Sequence, residues 1–117
     1  KTVLSKLRKA MKYRSTQAEI VRQILDDSLY PVFFCGDLND IPNSFTYFKI
    51  RGTMQDAFLK KGFGIGRTYA SLSPTLRIDY MFCDDHFQID QFTRIQKSLS
   101  DHFMLLADVE LKSRRPL

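Results

Sequence analysis

The feature that most constrains the fold is a change of hydrophobic period along the chain. Between residues 2 and 27 apolar side chains recur at three- and four-residue steps: Val3, Leu4, Leu7 and Met11, then Ala18, Val21, Ile24 and Leu25. That spacing puts them on one face of a helix. From residue 77 onward the period is two. Ile78, Tyr80 and Phe82 alternate with Arg77, Asp79, Met81 and Cys83. Phe87, Ile89, Gln91, Thr93 and Ile95 repeat the pattern, as do Phe103, Leu105, Ala107, Val109 and Leu111. Such runs predict antiparallel neighbours in one sheet, with Arg77 and Asp79 on the face opposite Ile78 and Tyr80. A helical start followed by successive strands is an α/β mixture with α+β layering, mainly antiparallel, with flanking helices.

The middle of the chain fills in the order. Thr16 and Glu19 fit a capping box, so residues 2–27 form either one helix or two meeting near Ser15. Pro31 opens a strand over 31–35 that is apolar at consecutive positions, which implies cover on both faces. Asn43 or Ser44 can cap a short helix over 44–51, stopped by Gly52. A second helical turn is expected over 54–61, ended by Gly62, with a loop over 62–66. The tail 112–117 is basic, contains Pro116 and is expected to fray.

Length and composition fit one domain or part of a larger one: 117 residues, 44% hydrophobic, with ten Phe and five Tyr for an aromatic core. The net charge of +5 is uneven. Lys1, Lys6, Arg8, Lys9, Lys12 and Arg14 stand in a stretch without an acid, and the remainder is close to neutral. A solvated helix face accounts for that run, although it would also favour an anionic partner. Cys35 and Cys83 lie in apolar runs and have no metal-ligand spacing; a disulfide between them is open, but buried free thiols are the ordinary reading and mildly favour a reducing compartment. No stretch approaches the roughly 18 apolar residues that span a bilayer.

Three polar clusters carry the chemistry. Gly36-Asp37-Leu38-Asn39 follows the apolar strand and delivers an acid and an amide to its C-terminal end. Arg77-Ile78-Asp79-Tyr80 places a carboxylate in a strand among bulky neighbours, where it needs a partner if buried. Ser100-Asp101-His102 stands just before the last strand, and an imidazole titrates near neutrality. Three carboxylates, an amide and an imidazole suit metal-assisted phosphoester hydrolysis. Each cluster also has an ordinary reading. Gly-Asp and Asn-Asp are common turn residues, Asp79 can pair with Arg77 at the surface, and Ser100–His102 can be a plain turn. His86, in a polar turn, reads as surface. There is no phosphate-binding glycine loop, no nucleophile elbow and no zinc constellation.

In this order the clusters resemble the endonuclease/exonuclease/phosphatase family, whose fold is that of pancreatic DNase. The family pattern is a strand ending Gly-Asp-x-Asn, an Arg-x-Asp-Tyr strand, and Ser-Asp-His before a final strand. Asp40, Pro42, Ser44 and Thr68-Tyr69 also suit it, so the resemblance runs over about residues 16–111. It implies a four-layered αββα sandwich and Mg²⁺-dependent phosphoester cleavage. It implies that Asp37 orients or activates the attacking water and that Asn39 holds that water or a phosphate oxygen. His102 would contact the scissile phosphate, with Asp79 orienting it, and Asp101 would sit beside the metal. Arg77, Asn39 and His102 are the expected substrate contacts.

The family's principal metal-ligating Glu belongs to an N-terminal half that nothing in residues 1–30 replaces. Residues 1–117 are therefore expected to be the C-terminal half of such a domain, inactive alone and prone to self-association through an uncovered apolar face. The substrate would be a nucleic acid, a phospholipid headgroup or an inositol phosphate. Two other readings stand beside this one: a non-catalytic binding or interaction module on the same fold, and an unrelated α+β domain.

Overall fold

The computed structural model describes residues 2–62, 68, 77–97 and 99–112. The expected loop at 63–66 and the tail beyond Lys112 lie outside the described residues; Lys112 itself donates its N–H to His86 O at 2.7 Å. The elements, in chain order, are α1 (Val3–Asp26), β1 (Phe33–Asp37), α2 (Phe45–Arg51), β2 (Gln55–Asp56), α3 (Ala57–Lys61), β3 (Asp79–Cys83), β4 (Phe87–Ile95) and β5 (Met104–Leu111).

The first helix is continuous. Thr2 caps it, its hydroxyl accepting from Ser5 N at 3.3 Å. The Thr16 side chain does not act as a second cap. Ser15 and Thr16 donate their hydroxyls back to the carbonyls of Met11 and Lys12, at 2.9 and 3.1 Å, which keeps both inside one helix. Ala18 is buried and Val21 and Leu25 pack beside it, whereas Val3, Leu4, Leu7 and Met11 are exposed. Arg22 locks α1 to α2 by donating to Ile50 O at 2.8 Å. Ser44 caps α2 as expected, its hydroxyl accepting from Tyr47 N. Gly52 ends α2 with φ of 54°, a left-handed conformation that suits glycine; a Cβ there would also meet Arg22 Nη1 at 2.6 Å.

The late strands do not form one sheet. β3 is central in a three-stranded antiparallel sheet of order β1-β3-β2, while β4 and β5 pair in a sheet of their own. β3 has two edges, and β1 and β2 take both, so β4 turns away after Asp84. The Asp84 carboxylate fixes that corner by accepting from Val32 N at 2.7 Å and His86 N at 2.9 Å. Burial is the largest single influence on its pKa and raises it, but the bonds from Val32 N, His86 N and the His86 ring together outweigh burial and hold the carboxyl below its ordinary value. β4 and β5 run antiparallel with a register shift between Ile89 and Gln91.

Two cores sit on the two faces of β3. On one face Tyr80 and Phe82 join Ala18, Leu38, Tyr47, Ile50 and Met54 under α1 and α2. On the other, Cys83 meets Ala57 and Ile89, with Met81, Phe87 and Phe92 alongside. β1 starts two residues later than its apolar run and is not covered on both faces: Phe34 packs into the first core, but Phe33 and Cys35 are exposed. Across the pairing Phe33, Cys35 and Asp37 face Cys83, Met81 and Asp79. The half-open face is therefore the one that ends in the two carboxylates.

Candidate active site

Antiparallel register brings the last residue of β1, Asp37, opposite the first residue of β3, Asp79. Pairing continues one step further, with Leu38 N donating to Ile78 O at 2.9 Å. Asn39 then adopts φ of 49°, which Asn tolerates better than most residues, and its N–H donates to Asp37 Oδ1 at 2.8 Å. The turn and the site are thus the same structure. The Asx-turn occupies one oxygen of Asp37 and leaves Oδ2 to face His102.

His102 enters from the segment before β5. Its N–H donates to Ser100 Oγ at 3.2 Å, and the Ser100 hydroxyl donates to Asp101 Oδ1 at 3.1 Å. The ring lies between the two carboxylates, with Nδ1 2.7 Å from Asp79 Oδ2 and Nε2 3.8 Å from Asp37 Oδ2. The hydrogen bond with Asp79 raises the His102 pKa. Partial burial opposes it, and the negative charges of Asp79, Asp37 and Asp101 add to the rise. The imidazole is half-buried, with 32% of its side chain exposed, so it can reach a ligand from solvent.

Asp37, Asp79 and His102 each offer a ligand atom, all within 4.8 Å of one another, so the cluster could hold a metal ion. The donor chemistry narrows this. The raised pKa of His102 favours the protonated ring, and a protonated ring offers no ligand atom. The fit to a hard cation therefore rests on oxygen donors. Asp37 is solvent-exposed, and so is Asp101, which lies outside that close group. Two clefts border the cluster, one at Asp37 and one at His102. One, of about 300 Å³, is lined by Arg14, Gln17, Asp37, Asn39 and Thr46. The other, of about 400 Å³, is lined by Lys97, Ser100, His102 and Phe103.

Arg77, expected among the substrate contacts, is buried and lies apart from the Asp–His–Asp cluster. It precedes β3, so strand alternation does not govern it, and it turns away from Asp79 into the protein. Its side chain is 6% exposed, and Nη1 donates to both oxygens of Asp56, at 2.9 and 3.2 Å. The guanidinium lies 4.7 Å from the ring centre of Phe58 and 4.9 Å from that of Tyr80. Tyr47 completes the network by donating its hydroxyl to Asp56 Oδ2 at 2.7 Å. The burial of Arg77 is not legible in the sequence because a charged residue at a strand entry looks solvent-facing when its partner, 21 residues earlier, carries no signal of burial. Tyr80 ties this network to the site: its hydroxyl lies 2.7 Å from Arg77 O and 2.8 Å from Asp40 O. His86 is in a surface turn against Asp84, as expected.

Helices over a central antiparallel sheet, a second two-stranded sheet and an Asp–His–Asp cluster at the end of the first make a DNase I-like arrangement. The chain belongs to the endonuclease/exonuclease/phosphatase family, whose model matches residues 11–102. Among solved structures, it resembles the Bacteroides thetaiotaomicron VPI-5482 mannosyl-6-phosphatase Bt3783 at 19% identity and a TM-score of 0.67, over 86% of this chain and 46% of that one. A functionally unknown conserved protein from Enterococcus faecalis V583 matches at 22% identity and 0.73, over 87% and 46%. An endonuclease/exonuclease/phosphatase family protein from Bacteroides thetaiotaomicron matches at 19% and 0.63, over 85% and 44%. The chain thus spans about half the length of the structures it matches. No curated protein sequence matches it.

Proposed function

We propose that these residues form the C-terminal half of a Mg²⁺-dependent phosphoester hydrolase. The observation that carries the reading is the Asp79–His102–Asp37 arrangement, with contacts of 2.7 and 3.8 Å on the two ring nitrogens. A binding-only module needs no imidazole bonded to one carboxylate and facing a second.

In this reading His102, kept protonated by Asp79, presents positive charge to a non-bridging phosphate oxygen as negative charge grows there. Asp37 accepts a proton from the attacking water. Asn39 donates its side-chain amide to that water or to a phosphate oxygen. Asp101 and Asp37 would hold the metal together with a Glu from the other half of the domain. A bound divalent cation would supply Lewis-acid stabilisation of the phosphoryl oxygens. The other half would stack on the face that carries Phe33 and Cys35 and ends at Asp37, since that face is exposed here.

The candidate substrates are nucleic acid, phospholipid headgroups and inositol phosphates, to which the likeness to a sugar phosphatase adds sugar phosphates. The test is a screen of the full-length protein on these four classes with Mg²⁺ and with chelator. The expected result is metal-dependent release of phosphate or cleaved ester, lost in Asp37→Ala and His102→Ala. Turnover that survives both substitutions would overturn the reading, and so would Mg²⁺-dependent turnover by the isolated 117 residues, which lack the Glu.

A further inference from the structure

We propose that Thr68 is a positioning residue that couples Asp79 to His102. Thr68 is 1% exposed and touches both segments that supply the pair. Its hydroxyl oxygen accepts from Ile78 N at 2.9 Å and from Asp79 N at 3.1 Å. Its carbonyl accepts from Phe103 N at 2.8 Å. One residue therefore fixes the backbone of Asp79 on one side and the residue after His102 on the other.

The geometry explains why this matters. β3 begins at Asp79, so the N–H groups of Ile78 and Asp79 stand at a strand entry, and Leu38 uses the Ile78 carbonyl rather than its N–H. Ile78 is buried, and a buried N–H without an acceptor is costly, so the Thr68 hydroxyl is a specific requirement rather than a filler. Among the described residues β5 does not pair with β3, so Asp79 and His102 do not face each other across a common pair of strands. A hydrogen bond of 2.7 Å between them has little tolerance for drift. The clamp through Thr68 is a short backbone route that joins the two.

The inference rests on Asp79 and His102 being the working pair, but its test does not need turnover. In the full-length protein the Nδ1–H proton of His102 is followed by nitrogen-edited NMR, with His86 as an internal control. Thr68→Val keeps the shape and removes the acceptor; Thr68→Ser keeps the acceptor. The downfield His102 signal should be lost or strongly broadened in Thr68→Val and restored in Thr68→Ser, with His86 unmoved. Where the protein turns over substrate, kcat should fall about 10- to 100-fold in Thr68→Val with KM little changed. A folded Thr68→Val protein with the wild-type His102 signal would overturn the proposal, as would loss of that signal in a folded Thr68→Ser. A measurement on the unaltered protein guards against a valine variant that does not fold: the Asp79 and Phe103 amides should exchange with solvent at matched rates. Exchange of Asp79 at least tenfold faster than Phe103 would also overturn it. Absence of turnover with the NMR pattern intact would instead count against the hydrolase reading alone.

Discussion

His102 Nδ1 lies 2.7 Å from Asp79 Oδ2, although 23 residues separate the two in the chain. The contact fixes which ring nitrogen carries a proton toward the carboxylate and leaves Nε2 for Asp37 and for ligand. It also sets the charge of the ring. In Asp79→Asn the His102 pKa should fall, which NMR titration of the ring protons would detect. The sign for stability follows from the raised folded value. Below about pH 6.5 the ring is charged in both states and the pair contributes fully. As pH rises through the folded value, that contribution is lost. Wild type should therefore lose stability relative to Asp79→Asn as pH rises past neutrality, measured by urea unfolding across that range. A pH-independent difference would mean the pair is not charged in the folded protein.

Arg77 separates structure from chemistry. Both it and Asp56 are almost fully buried, with side chains 6% and 1% exposed. Removing one partner leaves a buried charge uncompensated. Arg77→Ala should destabilise the fold by about 3–5 kcal/mol, and Arg77→Lys should recover only part, because a point charge cannot replace a planar group stacked on Phe58 and Tyr80. Urea denaturation would read both. KM of folded protein should stay unchanged; a selective rise in KM would return Arg77 to the substrate site.

The parts of this fold that could be read from the sequence are those set by local rules. Ser44 and Gly52 bracket α2 because a hydroxyl caps a helix and a glycine accepts φ of 54°, and both act within a few residues. Asp37, Asn39, Asp79 and His102 could be read because three short motifs fell in a familiar order, and the structure brings Asp37, Asp79 and His102 together. What could not be read depends on partners far along the chain. Period two identified β3, β4 and β5 as strands, but no local property says that β1 and β2 take both edges of β3. Nor does any local property pair Arg77 with Asp56. The run Phe33–Cys35 looked doubly covered because apolarity signals a need for burial, whereas the described residues cover one side of it.

That uncovered side gives a chemical test of the half-domain reading. Cys35 is exposed and Cys83 is buried, and partial burial raises the pKa of both thiols, so labelling should be run above pH 8. In the isolated 117-residue chain Cys35 should react before unfolding and Cys83 only with it. In the full-length protein Cys35 should be protected at least tenfold, because the other sheet covers it. The isolated chain should also bind an apolar dye and sediment above monomer mass. Equal Cys35 reactivity in both forms would remove the argument that a second sheet stacks there.

Asn39 lets backbone and side-chain roles be told apart. Its φ of 49° is costly for most L-residues, by about 1–2 kcal/mol, but not for glycine. The bond that shapes the turn runs from its own N–H to Asp37 Oδ1, so any residue that accepts the conformation can keep it. Asn39→Gly should therefore fold with stability within about 1 kcal/mol of wild type, while Asn39→Ala loses about 1–2 kcal/mol to strain. If the amide serves the phosphate or the water, both variants should lose activity alike, on the order of 10²-fold in kcat, as when one transition-state donor is removed. Urea unfolding and steady-state kinetics on the same preparations would separate the two effects. A glycine variant with wild-type kcat would reduce Asn39 to a turn residue, and the proposed site would then rest on Asp37, Asp79, Asp101 and His102.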